Sequence, residues 1–238
     1  MDTWSINSQL ELKAAELSFE EKQKFLEIPY YLHLWTQPFG GLAGKKVLDF
    51  GCGGGTSAAG IALLHGAKVH GTDINSEAEQ CSSFIHNNFG ISKIDDLTFQ
   101  EIEPGGQIDG KDFDCIFSWS VFEHVNNRLY KNILSDLYDR LKPGGLFFVQ
   151  ISPLFFSPEG SHLWALGYNR WQHLTNQIDD IQHDIFHSQM EQQEKDGLWS
   201  MFISLNRVTS DDLVERFSAV GFQLLREQRD NIEHEPPE

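Results

Sequence analysis

Short apolar runs alternate with longer amphipathic stretches from Lys46 onward, and this alternation constrains the fold more than any other feature of the chain. The pattern predicts βαβ units, and therefore an α/β fold with a doubly wound, mostly parallel sheet and right-handed crossovers. Helices are expected on both faces of the sheet, and ligands beyond the carboxyl ends of its strands. The predicted strands are 47–50, 68–72, 97–102, 113–118 and 146–151, and the predicted helices are 56–65, 76–88 and 128–141.

Two segments outside this alternation have helical character. Residues 8–28 carry apolar side chains at helical spacing, and Ser18 with Glu21 has the form of a capping box, so we expect two short helices there. Residues 152–207 are rich in Trp, Tyr, Phe and His and are too long for a plain connection. We interpret them as an inserted cap after strand 5 with its own helix, about 176–194.

The C-terminal part predicts a final helix, 210–219, and a strand, 222–227, before an acidic tail. A sheet of this kind often closes with a further antiparallel strand, but the residues after 227 are polar. A seventh strand is therefore either absent or supplied by residues 198–205.

Composition narrows the function classes. The chain has 238 residues, which fits one globular domain, with 35 acidic against 18 basic side chains and a formal charge of −17. This surface repels phosphate backbones, so we expect no nucleic-acid partner and a small neutral or cationic substrate.

No apolar run approaches the roughly 20 residues of a membrane span, and the polar N-terminus does not resemble a signal peptide, which predicts no membrane partner and a cytoplasmic location. The cysteines, Cys52, Cys81 and Cys115, match neither a zinc site nor a disulfide framework.

A glycine-rich loop follows the first predicted strand and opens a helix. Gly51, Gly53 and Gly55 permit positive φ and allow a ligand to touch the main chain, where free N–H groups act as donors. Asp73 ends the next strand about 20 residues later, where a carboxylate can accept both hydroxyls of a ribose. The loop therefore predicts a nucleotide-like ligand. A dinucleotide site would place a third small residue at position 56, which is Thr56.

The loop and its preceding Asp49 resemble the first motif of class I S-adenosylmethionine-dependent methyltransferases, whose fold is Rossmann-like. Residues 73–74, 113–116, 122–125 and 141–145 are similar to further motifs of that class, and together they most resemble its type 11 group. The resemblance implies S-adenosylmethionine as cofactor. It also implies a set of cofactor-binding residues: Asp49, Gly51, Cys52, Gly53, Gly55, Asp73, Ile74, Glu101, Ser118 and Trp119.

Histidines near strand ends are the candidate catalytic residues, because a hydroxyl nucleophile benefits from a base with a pKa near neutrality. His124 follows the fourth strand beside Glu123, which could orient a helix or ligand, and His162 lies in a stretch similar to one in type 11 enzymes of glycan and secondary-metabolite pathways. Trp164, Tyr168 and Trp171 follow His162 and can form aromatic walls of the site. Such walls suit a sugar or a polar ring, although these three side chains could equally pack a lid. The predicted substrate-contacting residues are Trp119, His162, Trp164, Tyr168 and Trp171.

A metal is not expected. Ubiquinone-pathway and small-RNA methyltransferases of similar fold carry an additional glutamate where this chain has Ser120, and that segment can take part in binding a divalent metal. His183 and His187 resemble half of a metal site on the predicted helix, but a solvated acidic helix explains them as well.

The favoured function is O-methylation of a hydroxyl on a small molecule, a glycan or a secondary metabolite. N-methylation of a small amine, a non-catalytic cofactor-binding module and an NAD-dependent oxidoreductase stay open as alternatives. The expected organisation is a helical segment on the substrate side (1–44), a cofactor-binding core (45–151), a substrate cap (152–207) and a final helix-strand unit with the tail (208–238). The sequence makes no prediction about oligomeric state.

Overall fold

The computed structural model describes residues 3–75 and 78–230. Its centre is a five-stranded, all-parallel sheet with strand order β3-β2-β1-β4-β5, flanked by helices. The order reverses between β1 and β4, and the loop after β1 lies at this switch point. The predicted fold class is confirmed. The strands are β1 (Lys46–Phe50), β2 (Lys68–Asp73), β3 (Leu97–Glu101), β4 (Phe113–Trp119) and β5 (Leu141–Gln150).

The helices between the strands are close to the predicted ones. They are α4 (Thr56–His65), α5 (Ala78–Phe89) and α6 (Tyr130–Arg140); the predicted start of α5 at residue 76 lies outside the described residues. The N-terminal segment forms α1 (Thr3–Ala14), α2 (Phe19–Lys22), a π-helix (Gln23–Glu27), α3 (Ile28–Thr36) and a 3-10 turn (Gln37–Phe39). The capping box is present, since the Ser18 hydroxyl accepts a hydrogen bond from Glu21 N and the Glu21 carboxylate accepts one from Ser18 N.

Contacts divide the chain into two compact units. The first comprises the residues up to Trp119 together with Asp139–Val149, and the second comprises Ser120–Tyr138 and the residues from Gln150 onward. In the first unit the N-terminal helices pack closely on α4, because Gly60 has no side chain. A Cβ on Gly60 would lie 2.2 Å from the carbonyl oxygen of Phe25.

The second unit contains the whole predicted insertion and has its own hydrophobic cluster. Besides most of α6 and a 3-10 turn (Trp164–Leu166), its helices are α7 (Gln172–Thr175), α8 (Ile178–His187), α9 (Gln192–Ser204) and α10 (Ser210–Ala219). The cluster joins residues from α8 and α9 with the segment that precedes them: Phe155, Leu163, Ile181, Ile185, Phe202 and Leu205.

The single helix predicted over 176–194 is wrong, because two helices with a break occupy this stretch. Ser188 ends α8 in an extended conformation, and its hydroxyl donates to the carbonyl oxygen of Ile185 at 2.8 Å. Glu191 is also extended and forms a capping box with Glu194 at the start of α9. These local side-chain bonds satisfy the backbone groups that a continuous helix would have paired.

Two strand predictions also differ from the structure. The strand predicted over 222–227 does not form, and within the described residues no strand follows Gln150; residues 198–204 belong to α9. Leu224 and Leu225 are 58% and 65% exposed, whereas the ring of Phe222 packs edge-on against that of Tyr138 with centroids 5.0 Å apart. The acidic tail from residue 231 lies outside the described residues.

The fifth strand begins at Leu141, earlier than the predicted residue 146. The Pro-Gly-Gly sequence of residues 143–145 favours a turn, and Gly144 does have φ of 75°. Yet a Cβ on Gly145 would lie 3.2 Å from the carbonyl oxygen of Phe113, the first residue of β4. The glycine therefore allows this stretch to run beside β4.

Candidate cofactor and acceptor site

The glycine-rich loop joins β1 to α4 and is held against the end of β2. Gly51, Gly53 and Gly55 have φ values of 77°, 49° and 71°, a region that glycine adopts without steric cost. Gly51 N and Cys52 N both donate to the carbonyl oxygen of Thr72, at 2.7 and 3.0 Å. These bonds fix the loop at the carboxyl end of the sheet.

Two of the glycines have different surroundings. A Cβ on Gly55 would lie 2.4 Å from Cζ of Phe99, so this glycine is required by packing. A Cβ on Gly53 would have no heavy atom within 4 Å. The main chain at Gly53 is therefore open to close approach by a ligand, which fits the cofactor implied by the loop.

Asp73 orients the loop and retains further hydrogen-bonding capacity. Its Oδ2 accepts from Gly53 N at 2.8 Å, and its Oδ1 accepts from Asn75 N at 3.1 Å. A carboxylate has about four acceptor positions, so two remain for the hydroxyls of a ribose. Ile74 is 54% exposed beside it, and Glu101 is the strand partner of Asp73 on β3.

Asp49 is a buried carboxyl group just before the loop. Its side chain is 2% exposed, and its Oδ2 has no hydrogen-bond partner among the described residues. Burial, with a smaller contribution from the charge of Asp73, raises its pKa to about 8. Asp49 is therefore protonated at neutral pH and can donate as well as accept a hydrogen bond. An unsatisfied buried polar atom beside an open main chain also fits a bound ligand.

The remaining predicted cofactor residues have mixed surroundings. Burial raises the pKa of the Cys52 thiol, which therefore stays protonated. Ser118 is buried and donates to the carbonyl oxygen of Phe50 at 3.0 Å, a bond that links β4 to β1. Trp119 ends β4, and its ring stacks on that of Tyr31 with centroids 6.2 Å apart. The contact with Tyr31 was not predicted, because nothing in the sequence connects residues so far apart.

In the second unit, the structure brings the two predicted catalytic histidines together. The rings of His124 and His162 meet edge to face, with centroids 5.3 Å apart. His162 Nε2 lies 3.0 Å from the carbonyl oxygen of Pro153. Because a carbonyl only accepts, Nε2 carries the proton in the neutral ring and the lone pair is on Nδ1.

Burial keeps both histidines neutral. It lowers the pKa of His124 to about 4, with a further contribution from the neighbouring His162, and it also lowers the pKa of His162. A neutral imidazole with a free lone pair is the form that a general base requires. His162 has φ of 57°, and uncommon backbone conformations of this kind cluster at functional sites.

The predicted aromatic walls are not all beside this pair. Trp164 stacks on His162 with centroids 5.2 Å apart and is 57% exposed. Tyr168 instead donates its hydroxyl to Asp184 of α8 at 2.8 Å. Trp171 precedes α7 with φ of 66°, and its buried Nε1 has no partner among the described residues. Trp164 is therefore the predicted wall residue that contacts the histidine pair directly.

The segment around His124 is held by Asn206, which sequence reasoning did not single out. The Asn206 amide nitrogen Nδ2 donates to the carbonyl oxygens of Phe122 and Val125. Its main-chain N–H donates to the carbonyl oxygen of Glu123 at 2.9 Å. An asparagine before a helix gives no sequence signal of a partner so distant along the chain.

Glu123 is buried and neutral. Its side chain is 2% exposed, both carboxyl oxygens have no hydrogen-bond partner among the described residues, and burial raises its pKa to about 8. The folded protein therefore keeps the Glu123 carboxyl group protonated up to a pH of about 8, whereas in the unfolded chain the same group ionises near pH 4.5.

The variant Glu123→Gln is expected to flatten the pH dependence of stability. Relative to this variant, the wild type should lose free energy of unfolding as the pH rises from about 4.5 through about 8, because only the unfolded state ionises freely over that range. The loss should approach about 1.4 kcal/mol per pH unit. Urea unfolding at a series of pH values measures it, and parallel curves for the two proteins would contradict the buried neutral carboxyl.

The described residues also bear on metal and membrane binding. Within residues 3–75 and 78–230, no three His, Cys, Asp or Glu side chains form a group that could hold a metal ion. The rings of His183 and His187 stack at 3.8 Å, and His187 Nδ1 donates to the carbonyl oxygen of His183. None of the helices in the same ranges has the length and apolar character that a membrane crossing requires.

Known proteins resemble this chain in sequence and in fold. A methyltransferase domain family matches residues 26–227. A ubiquinone biosynthesis O-methyltransferase of Shewanella sp. (strain ANA-3) is 31% identical over 133 residues, which cover 56% of this chain and 54% of that protein. The chain thus spans about half the length of the curated relatives it matches.

Solved structures show the same fold. The cyclopropane synthase MmaA2 from Mycobacterium tuberculosis has a TM-score of 0.56 at 18% identity, covering 90% of this chain and 65% of that one. Haemonchus contortus phosphoethanolamine N-methyltransferase 2, solved with S-adenosylhomocysteine, has a TM-score of 0.52 at 16% identity, covering 83% and 37%. Because the family match covers all five strands of the sheet and most of both units, the chain belongs to the methyltransferase domain family, and its fold is the Rossmann-like fold of class I S-adenosylmethionine-dependent methyltransferases.

Proposed function

We propose that the chain catalyses O-methylation of a hydroxyl on a small molecule, a glycan or a secondary metabolite, with His162 as general base. The observation that carries this proposal is the neutral His162 ring, whose Nε2 is committed to the Pro153 carbonyl while Nδ1 keeps its lone pair. When bound, S-adenosylmethionine supplies an electrophilic methyl group on its sulfonium.

The loop and its neighbours are the residues that we expect to hold the cofactor. The open main chain at Gly53 allows close approach, and Asp73 has free acceptor positions for ribose hydroxyls. Asp49, protonated and without a partner for Oδ2, can donate a hydrogen bond to the cofactor. This assignment gives 45–151 the cofactor-binding role, and we expect 1–44 and 152–207 to contribute to substrate binding.

His162 would accept the hydroxyl proton on Nδ1 as the oxygen attacks. Positioned general bases contribute about 10²–10⁴-fold to a rate. His124 packs edge-on against the ring and Trp164 stacks on it, which holds the imidazole in one orientation. The similarity to O-methyltransferases of ubiquinone biosynthesis supports an oxygen acceptor. The low basic content supports a small-molecule acceptor rather than a nucleic acid.

N-methylation of an amine is the second candidate. A formal charge of −17 favours a cationic acceptor, and an amine that attacks as its free base needs no enzymatic base to remove a proton beforehand. The two candidates therefore differ in their dependence on His162.

The variant His162→Asn separates them. Asparagine tolerates the positive φ better than most residues and provides no base. Its shorter amide does not reach the position of His162 Nε2, so the bond to Pro153 is lost as well. With methyl-labelled S-adenosylmethionine and a small-molecule extract as the acceptor source, labelling of a hydroxyl product should fall about 10²–10⁴-fold. The affinity for S-adenosylhomocysteine should stay unchanged.

The matched control is His173→Asn, because His173 is also buried in the second unit and its Nε2 lies 2.7 Å from the Phe155 carbonyl oxygen. Its labelling rate should stay near that of the wild type. An amine product formed at the same rate in His162→Asn would replace this proposal by N-methylation. Cofactor binding without any labelled product would favour a non-catalytic module.

A further inference from the structure

Helix α3 presents an apolar outer surface. Tyr30, Tyr31 and Leu34 are 55%, 48% and 47% exposed. The helix contains no Asp, Glu, Lys or Arg, although the chain has 53 such residues, 35 acidic and 18 basic. Surface helices normally turn charged or polar residues toward water, and a contiguous exposed apolar patch marks a binding surface.

Tyr31 of this surface contacts partly buried aromatic side chains of the sheet, which also pack against the hydrophobic core. We call Tyr31, Trp35, Trp119 and Phe148 the aromatic shelf. The ring of Trp119 is stacked with that of Tyr31 at 6.2 Å and 23° and with that of Phe148 at 6.4 Å and 12°. Trp35 meets Phe148 edge-on at 5.3 Å. Three rings in a row therefore have nearly the same orientation.

The strand register places the shelf beside the glycine-rich loop. In the parallel pairing of β1 with β4, Asp49 is opposite Phe117. Side chains alternate along a strand, so Trp119 and Phe117 lie on the same face of the sheet. Because Asp49 is opposite Phe117, the same register continued by two residues places Gly51 opposite Trp119. The shelf thus lies at the carboxyl edge of the sheet, where ligands of this fold bind.

We propose that the aromatic shelf is the acceptor-binding surface and that the acceptor presents a flat, neutral aromatic or conjugated ring bearing the methylated group. Parallel rings offer offset stacking to a flat ligand, and none of the four side chains carries a charge that would recognise an ionic one. This inference deepens the proposed function and rests on it. It assigns acceptor contacts to Tyr31 and Trp35 of α3.

Equilibrium binding to the full chain saturated with S-adenosylhomocysteine tests the proposal. The probes are 2-naphthol and its saturated counterpart decahydro-2-naphthol, which share a hydroxyl and carbon skeleton and differ in the flat ring. The wild type should bind 2-naphthol about tenfold or more tightly than the saturated probe, since aromatic stacking at more than one ring contributes at this level.

Variants of Tyr31 test whether its ring causes the preference for 2-naphthol over the saturated probe. Tyr31→Leu should reduce the ratio of the two affinities severalfold, and Tyr31→Phe should retain it because the ring is kept. Tyr30→Leu is the matched control, since Tyr30 is the adjacent exposed tyrosine of the same helix and is not one of the four shelf residues, although its ring lies 6.5 Å from that of Tyr31. Circular dichroism and thermal unfolding establish that each variant is folded.

Equal affinity for the two probes, absence of binding of 2-naphthol, or an unchanged ratio in Tyr31→Leu would overturn the proposal. A wild-type dimer that Tyr31→Leu converts to a monomer would also overturn it, because a second copy would then occupy the shelf. The measurement involves no methyl transfer, so it is independent of the His162 experiment. A preference for flat 2-naphthylamine over flat 2-naphthol would support the shelf while opposing the oxygen acceptor.

Discussion

The variant Gly53→Asn is expected to lower the affinity for S-adenosylhomocysteine by about 100-fold or more, equivalent to about 2.7 kcal/mol, while the protein stays folded. Gly53 has φ of 49°, which asparagine tolerates better than most residues. The position of its Cβ is free of other atoms, so the new side chain causes no internal clash. It would instead fill the space through which the cofactor approaches the main chain. Isothermal titration calorimetry measures the loss.

Two further glycines provide the comparison. Gly90 has φ of 73° and equally open surroundings after α5, so Gly90→Asn matches the backbone strain without touching the loop and should bind normally. Gly55→Ala should instead lower the unfolding temperature, because its Cβ would lie 2.4 Å from Phe99. An affinity of Gly53→Asn within about threefold of the wild type, a difference below about 1 kcal/mol, would oppose the assignment of this loop to the cofactor.

The strands of the sheet and the helices between them could be predicted from the sequence because the residues that begin and end them are local signals. The predicted helix 56–65 coincides with α4, and the reason is visible at both ends. Gly55 and Gly66 flank the helix with φ of 71° and 66°, so each glycine stops the helical conformation where the sequence shows it. The strands before and after the helix are short and largely buried, as strands of a parallel sheet with both faces covered are.

Predictions failed where hydrophobic periodicity does not show what ends a helix or what a segment packs against. The amphipathic pattern of 176–194 suits one long helix, but the bonds of Ser188 and Glu191 end one helix and begin another. The apolar residues of 222–227 suit a strand, yet a strand forms only when its backbone pairs with another strand, and here the ring of Phe222 packs on Tyr138 instead. Neither the helix break nor the absence of strand pairing is encoded in hydrophobic periodicity.

The candidate site shows the same division. The loop glycines and Asp73 follow a spacing that can be recognised in sequence, and the structure places them in contact. The raised pKa of Asp49 depends on burial by surrounding elements, so no local sequence pattern predicts it. The stacking of Tyr31 on Trp119 requires the docking of α3 against the end of β4, which no local pattern specifies.

The variant Asn206→Ala is expected to lower the free energy of unfolding by about 3 kcal/mol, because it removes two side-chain hydrogen bonds to main-chain carbonyls. The carbonyl of Phe122 would keep the Tyr130 hydroxyl as a donor at 3.3 Å, whereas that of Val125 would lose its bond from the Asn206 amide. These bonds hold the turn that carries His124. Urea unfolding monitored by circular dichroism measures the change.

The control for this prediction is Asn127→Ala, which removes an exposed amide from the same network. Asn127 Nδ2 donates to the main-chain carbonyl oxygen of Asn206 at 3.0 Å, and its Oδ1 accepts from Arg216 at 2.7 Å. Because water can replace exposed bonds, its cost should stay below about 1 kcal/mol. Equal losses in the two variants would mean that the Asn206 side chain is no more than another surface contact. A larger loss in Asn206→Ala, with faster hydrogen exchange in residues 122–125, would identify it as the residue that fixes the position of His124.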